Sequence, residues 1–197
     1  EGRLFWTLEY LGFPELACLD GGIEAWRLAG FSLDAAPAAS VGAAASTALV
    51  PSLQPQVLAD TALVQQLTEA GAGVLLDVRE REEWEGSAAG DPFGADRSGH
   101  IPGAVSWPWR DRLFAPTSAS GPPALRPCDE ILDSLPTAAA QAEELVAYCT
   151  GGIRSGFVHL VLRGCGLGAP GTTPRVRNYD ASWWAWAADS SLRCEGV

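Results

Sequence analysis

The sequence predicts an α/β fold with a largely parallel central sheet flanked by helices, because short apolar runs suited to buried strands alternate with stretches of helical spacing. Three runs carry that prediction: Val74 to Val78, Glu144 to Cys149 and Val176 to Asp180. Helical patterns follow the second and third, at Ser155 to Arg163 and Ser182 to Ala188. Parallel neighbours cannot be joined by a tight hairpin, so intervening helices are what such a sheet requires.

Taken in order, residues 4–13 have helical apolar spacing and end at Gly12, with Pro14 as a stop signal. Leu16 to Leu19 reads as a short strand, and Asp20 to Gly30 as a turn, a helix and a glycine stop. Between Asp34 and Asp60 no residue is charged, and Ala, Ser, Pro and Gly dominate, so residues 36–52 are expected to be a linker. Pro37, Gly42, Pro51 and Pro55 argue against a continuous helix there. Leu63, Val64 and Leu67 share a helical face just before the first strand run. The main domain is expected over 53–190, with 191–197 as a tail. Asp20, Ala25 and Trp26 recur at matched spacing in Asp180, Ala185 and Trp186, an internal echo that suggests two related units, the first lacking its front.

Composition narrows the function. With 47% hydrophobic and 19% charged residues the chain can bury a core, which excludes wholesale disorder. A net charge of -11 without a Lys/Arg-rich run opposes binding to a phosphate backbone or an anionic membrane. No apolar run approaches the roughly 20 residues of a membrane helix. Five widely spaced cysteines, without a metal-binding spacing, point away from a disulfide scaffold or zinc site and toward an intracellular, reducing compartment. The chain starts at Glu1 and contains no methionine, so it is expected to derive from a longer product.

The segment that carries chemistry is Cys149-Thr150-Gly151-Gly152-Ile153-Arg154-Ser155, between a strand run and a helical pattern. Open α/β sheets place their sites at strand carboxyl ends. Two glycines let the backbone curl so that successive N–H groups face one centre, here the Cys149 sulfur, while the next helix adds its positive end and Arg154 a full charge. A helix terminus contributes at most about 2 kcal/mol, or about 1.5 pKa units, which from about 8.5 leaves most of the thiol protonated at neutral pH. The loop amides and Arg154 must supply the rest if Cys149 is to be an exposed thiolate, as expected here.

Asp77-Val78-Arg79, then Gly99-His100-Ile101-Pro102-Gly103-Ala104, then the Cys-x-x-Gly-x-Arg-Ser loop, then Tyr179-Asp180-Ala181-Ser182-Trp183, resembles the rhodanese-type sulfurtransferases. The order is similar to that of the catalytic C-terminal domain of tandem thiosulfate or 3-mercaptopyruvate sulfurtransferases, and residues 1–35 resemble the closing part of their non-catalytic first domain. The resemblance implies a rhodanese-like fold and a Cys149 persulfide that passes sulfane sulfur from a small anionic donor to cyanide, a thiol or a protein thiol. It implies neither a metal nor an organic cofactor.

Within that expectation Thr150, Gly151, Gly152, Ile153, Arg154 and Ser155 form the loop that holds the persulfide, Arg154 is a candidate to bind the donor, and Arg79 is a candidate either to bind the donor or to organise loops through a salt bridge. Asp77 and His100 are expected to be structural beside the site, and His159 to belong to the core or a helix surface. One of Trp183, Trp184 and Trp186 can rim the site, and Cys128 and Cys165 lack a comparable loop. Related cell-cycle phosphatases separate Cys and Arg by five residues; the four from Thr150 to Ile153 make a smaller ring, suited to one sulfur atom rather than a phosphate. Arg154 departs from the usual mercaptopyruvate pattern, yet no basic residue follows Cys149 directly, so the donor stays open with a lean to thiosulfate. A non-catalytic binding or persulfide-relay module is the competing class.

Overall fold

The computed structural model describes residues 1–33, 50–87, 94–116, 124–169 and 171–196. Four strands, β1 (Val74–Asp77), β2 (Val105–Ser106), β3 (Glu144–Tyr148) and β4 (Arg175–Asn178), form one sheet in the order β2-β1-β3-β4, and every pairing is parallel. Eight α-helices accompany it among the described residues: α1 (Gly2–Tyr10), α2 (Gly22–Leu28), α3 (Thr61–Ala70), α4 (Arg81–Glu85), α5 (Trp109–Leu113), α6 (Cys128–Asp133), α7 (Ile153–Gly164) and α8 (Ser182–Ala188).

The two central strands β1 and β3 are buried throughout, as strands of parallel sheets are, and their side chains alternate between two cores. Leu76 and Val74 of β1 join Leu145 and Ala147 of β3 on the face covered by Val158, Val161 and Leu162 of α7. Leu75, Val146 and Tyr148 point to the other face, under Val64 of α3 and Trp183 and Trp186 of α8. The chain fills β2 on one side of β1 before crossing to β3 on the other, so its direction reverses between β1 and β3. Open α/β sheets place their sites beyond the carboxyl ends of strands at such a reversal.

Helix α1 lies directly on α7. Gly2 and Gly156 sit at the crossing, where a Cβ on Gly2 would come 2.2 Å from the Phe157 Cα and one on Gly156 would come 2.9 Å from the Arg3 Cα. At the other end of the contact Glu9 accepts from Arg163 at 3.0 Å and lies 2.7 Å from His159 Nε2. Trp6 is buried and donates to the Val57 carbonyl. By contrast α2 buries none of its residues.

Several sequence expectations change. Leu16 to Leu19 joins no strand ladder. The two-residue β2 and the short helices α4, α5 and α6 are too brief to show a periodic pattern. Most of the expected linker, 36–52, lies outside the described residues. One disulfide that the cysteine spacing does not announce is present: Cys128, at the start of α6, is bonded to Cys165, which caps α7. A sequence separation of 37 carries no spacing signal, because only the tertiary fold brings the two positions together. Closing a loop of that span stabilises a fold by about 2–4 kcal/mol. Among the described residues no helix is long and apolar enough to cross a membrane.

Candidate active site

Cys149 is the first residue beyond β3, and Gly152 caps α7 with a left-handed φ of 83°. A Cβ at Gly152 would meet the Asp180 Oδ1 at 2.3 Å, so both the conformation and the space exclude a side chain there. Gly151 is equally closed, by the Trp184 ring at 2.4 Å. Trp184 is half exposed and rims the loop, whereas Trp183 and Trp186 are core residues.

Each of the first three carbonyls of the loop is held from outside. The Cys149 and Thr150 carbonyls accept from Trp183 N–H and Trp184 N–H, each at 3.0 Å, and the Gly151 carbonyl accepts from Arg3 Nη1 at 3.1 Å. The two tryptophan amides belong to the first turn of α8, whose N–H groups have no partner within their own helix. Because the C=O and N–H of a trans peptide point in opposite directions, fixing these carbonyls outward turns the following amides inward. Gly152 N–H accordingly donates to the Cys149 Sγ at 3.1 Å. Ser155 Oγ donates to the same sulfur at 3.6 Å.

Burial alone pushes the Cys149 thiol up, but Ser155 through its N–H and hydroxyl, the charge of Arg154 and the Gly151 N–H outweigh it and hold the thiol below its ordinary value. Cys149 is 1% exposed. The sulfur that the sequence places in the open is therefore enclosed, faced by fixed dipoles instead of water. Its cup has room for the amides because the sulfur sits beyond the carboxyl end of β3, where the ladder has ended.

Arg154 is the cation of the site, and it is not solitary. It donates to both carboxylate oxygens of Glu83, at 2.7 and 2.9 Å, and to Thr150 Oγ1 at 2.6 Å, while Thr150 Oγ1 donates to Glu83. Burial raises the Glu83 carboxyl, but the Arg154 hydrogen bond and charge more than offset this and keep it below the usual carboxylate range. Ile153 points outward, 64% exposed, and takes no part in the cup.

Of the two roles expected for Arg79, the structure shows the ion pair. It is 1% exposed and clasped by Asp77, with Nε 2.9 Å from Oδ1 and Nη2 2.6 Å from Oδ2, and it also donates to the Gly99 carbonyl. Its guanidinium lies 4.8 Å over the Trp183 ring. The two-residue Asp-x-Arg spacing at the end of β1 folds the arginine back on its own aspartate, leaving a brace between loops. His100 is also built in, stacked on Trp84 at 4.2 Å with Nδ1 2.7 Å from the Trp84 carbonyl. His159 is fully buried against Glu9, away from the loop.

The structure adds residues that sequence reasoning missed. Ser182 Oγ accepts from Cys149 N–H at 3.2 Å and donates to the Tyr179 carbonyl, with the left-handed φ of 54° that only a few non-glycine residues adopt. Glu83 and Arg3 are the others. Ser182 stands in one of the motifs that carry the resemblance, though with no role read from it, and Glu83 and Arg3 carry no local signal, since each reaches the loop across a long stretch of chain.

Residues 60–189 match the family model described as a rhodanese-like domain, and the chain belongs to that family. Relatives with curated names give the same grouping. A thiosulfate sulfurtransferase of Pseudomonas aeruginosa is 29% identical over 187 residues, 94% of this chain and 61% of its own. A thiosulfate sulfurtransferase of Corynebacterium glutamicum is 31% identical over 92% of this chain and 57% of its own, and the sulfur carrier protein TtuD of Thermus thermophilus is 29% identical over 92% and 62%. The chain thus spans about three fifths of the length of these relatives. Among solved structures, a variant of EanB in complex with ergothioneine superposes with a TM-score of 0.74 at 25% identity, over 100% of this chain and 45% of that one.

Proposed function

We propose that the chain is a sulfurtransferase that carries sulfane sulfur as a persulfide on Cys149, taking it from thiosulfate and giving it to cyanide or a thiol. The observation that supports this most directly is the ring of inward donors on the Cys149 sulfur, from the Gly152 N–H and the Ser155 hydroxyl. Such a ring stabilises a thiolate, and a persulfide carries the same charge one atom further out.

In the first half-reaction the Cys149 thiolate attacks the outer sulfur of thiosulfate. The sulfur–sulfur bond of the donor breaks, sulfite leaves with the electron pair, and Cys149 keeps the sulfane sulfur as an anionic persulfide. In the second, cyanide or a thiolate attacks the terminal sulfur, thiocyanate or a new persulfide forms, and the bonding pair returns to Cys149. Two half-reactions with a covalent intermediate give ping-pong kinetics.

The choice of thiosulfate rests on the names of the relatives, because Glu83 offsets the charge of Arg154 that favoured a compact dianion. With 3-mercaptopyruvate as donor the same thiolate attacks its sulfur, the carbon–sulfur bond breaks with its pair leaving as the pyruvate enolate, and that enolate takes up the proton of the donor's thiol to give pyruvate. The name of the Thermus thermophilus relative favours a second reading, in which the persulfide is handed to another protein's thiol.

Incubation with thiosulfate is expected to add about 32 Da at Cys149, the mass of one sulfur in a persulfide, and cyanide is expected to remove it. Intact-mass measurement reads both steps. Loading without release to cyanide would favour the relay, and no loading from thiosulfate or 3-mercaptopyruvate would overturn the enzyme reading.

A further inference from the structure

The peptide that aims Gly152 N–H at the sulfur is fixed on its outer side by Arg3, a residue 148 positions away and outside residues 60–189. Its guanidinium spans two acceptors, the Gly151 carbonyl through Nη1 at 3.1 Å and Asp180 Oδ2 through Nη2 at 2.8 Å. Asp180 itself abuts Gly152, so Arg3 ties together the two sides of the turn that Gly152 makes. The Cys149 and Thr150 carbonyls are held by backbone amides of α8; this one depends on a side chain from α1.

We propose that Arg3 is a positioning residue of the active site: by holding the Gly151 carbonyl outward it keeps the Gly152 N–H on the Cys149 sulfur, and the helix α1 is thereby part of the catalytic unit. The inference rests on the reading of Cys149 as the sulfur-carrying nucleophile. Its physical basis is geometric. A Gly-Gly peptide is among the easiest to rotate, since neither residue has a Cβ to restrict it, and a rotation that released the carbonyl to solvent would remove the amide from the sulfur.

The crossing of α1 on α7 makes the reach possible. Gly2 and Gly156 let the two helices touch, which carries the first turn of α1, and Arg3 with it, to the N-terminal end of α7 where the loop lies. The Glu9 contacts with His159 and Arg163 secure the opposite end of α1 and do not touch the loop. Position and docking can therefore be separated by substitution.

The test is the pH dependence of Cys149 alkylation in the parent chain, in Arg3→Met, in Arg3→Lys and in Glu9→Gln, with circular dichroism to establish that each is folded. Arg3→Met is expected to raise the apparent thiol pKa by about one unit, a tenfold loss of thiolate at any pH well below it. Lysine, which keeps a cationic donor able to reach the Gly151 carbonyl, is expected to recover at least half of that shift. Glu9→Gln is expected to titrate with the parent. An Arg3→Met profile coincident with the parent's would overturn the proposal, as would an equal shift in Glu9→Gln, which would assign the effect to general docking of α1. A parent thiol with an ordinary pKa would instead remove the reading of Cys149 on which it stands.

Discussion

Replacing Asp77 by alanine is expected to lower the unfolding free energy by about 3–5 kcal/mol, because it strands a buried cation. Arg79 is enclosed among Trp183, Tyr148 and the Gly99 carbonyl, and Asp77, itself 0% exposed, supplies the carboxylate that pairs with it. Burial disfavours the Arg79 charge and the Asp77 hydrogen bonds and charge offset this; without Asp77 the guanidinium, which does not lose its proton in proteins, carries the penalty unpaired. The expected result is a urea midpoint shifted far below that of the parent with an unchanged slope. Converting both residues to apolar ones of similar size, Asp77→Leu with Arg79→Met, should recover much of the loss, since a buried pair is worth little against good packing. A loss under about 1 kcal/mol in the single variant, within the range of an exposed pair, would show that the brace is open to water.

Cys149→Ser is expected to abolish persulfide formation and to cut sulfur transfer by on the order of a thousandfold or more, as removal of a covalent nucleophile does elsewhere. A hydroxyl is far less acidic than a thiol, so the loop amides that hold a thiolate cannot hold an alkoxide at neutral pH. The serine variant should keep the loop's shape, because the carbonyl contacts to α8 and Arg3 do not involve the sulfur. Cyanide-dependent thiocyanate release, measured with thiosulfate, checks the rate. Persistent turnover would move the nucleophile to Cys18 or Cys194, the other free thiols among the described residues. Both are held above the ordinary thiol range by burial, which makes them poor substitutes.

How much of the fold and site is readable from the chain alone follows from sequence distance. Leu75, Leu145 and Val146 announce buried strands through their neighbours alone, and β1 and β3 form where those runs stand. The Cys149 loop is equally local: its glycines, Arg154 and Ser155 lie within seven consecutive residues, and the structure brings Gly152, Arg154 and Ser155 around the sulfur. What stays hidden acts across the fold. Glu83 reaches Arg154 over 71 residues, Ser182 reaches Cys149 over 33, and Arg3 reaches Gly151 over 148. The same holds for the Cys128–Cys165 link, which joins two helix ends that only packing brings together. Arg79 is the reverse case, a residue for which the sequence leaves two roles open. Its position beside Asp77 is plain in the sequence, but burial, which no local pattern reveals, decides that the pair braces the loops instead of facing a donor.

The charge on one sulfur carries the whole account, and it can be read without any substrate. Following thiolate absorbance or iodoacetamide reaction at Cys149 across pH, with Cys149→Ser as the blank for Cys18 and Cys194, is expected to give a titration below the value of about 8.5 of a free thiol, with reactivity rising through it and then level. A Cys149 that titrates at or above that value, as an ordinary buried thiol does, would contradict it.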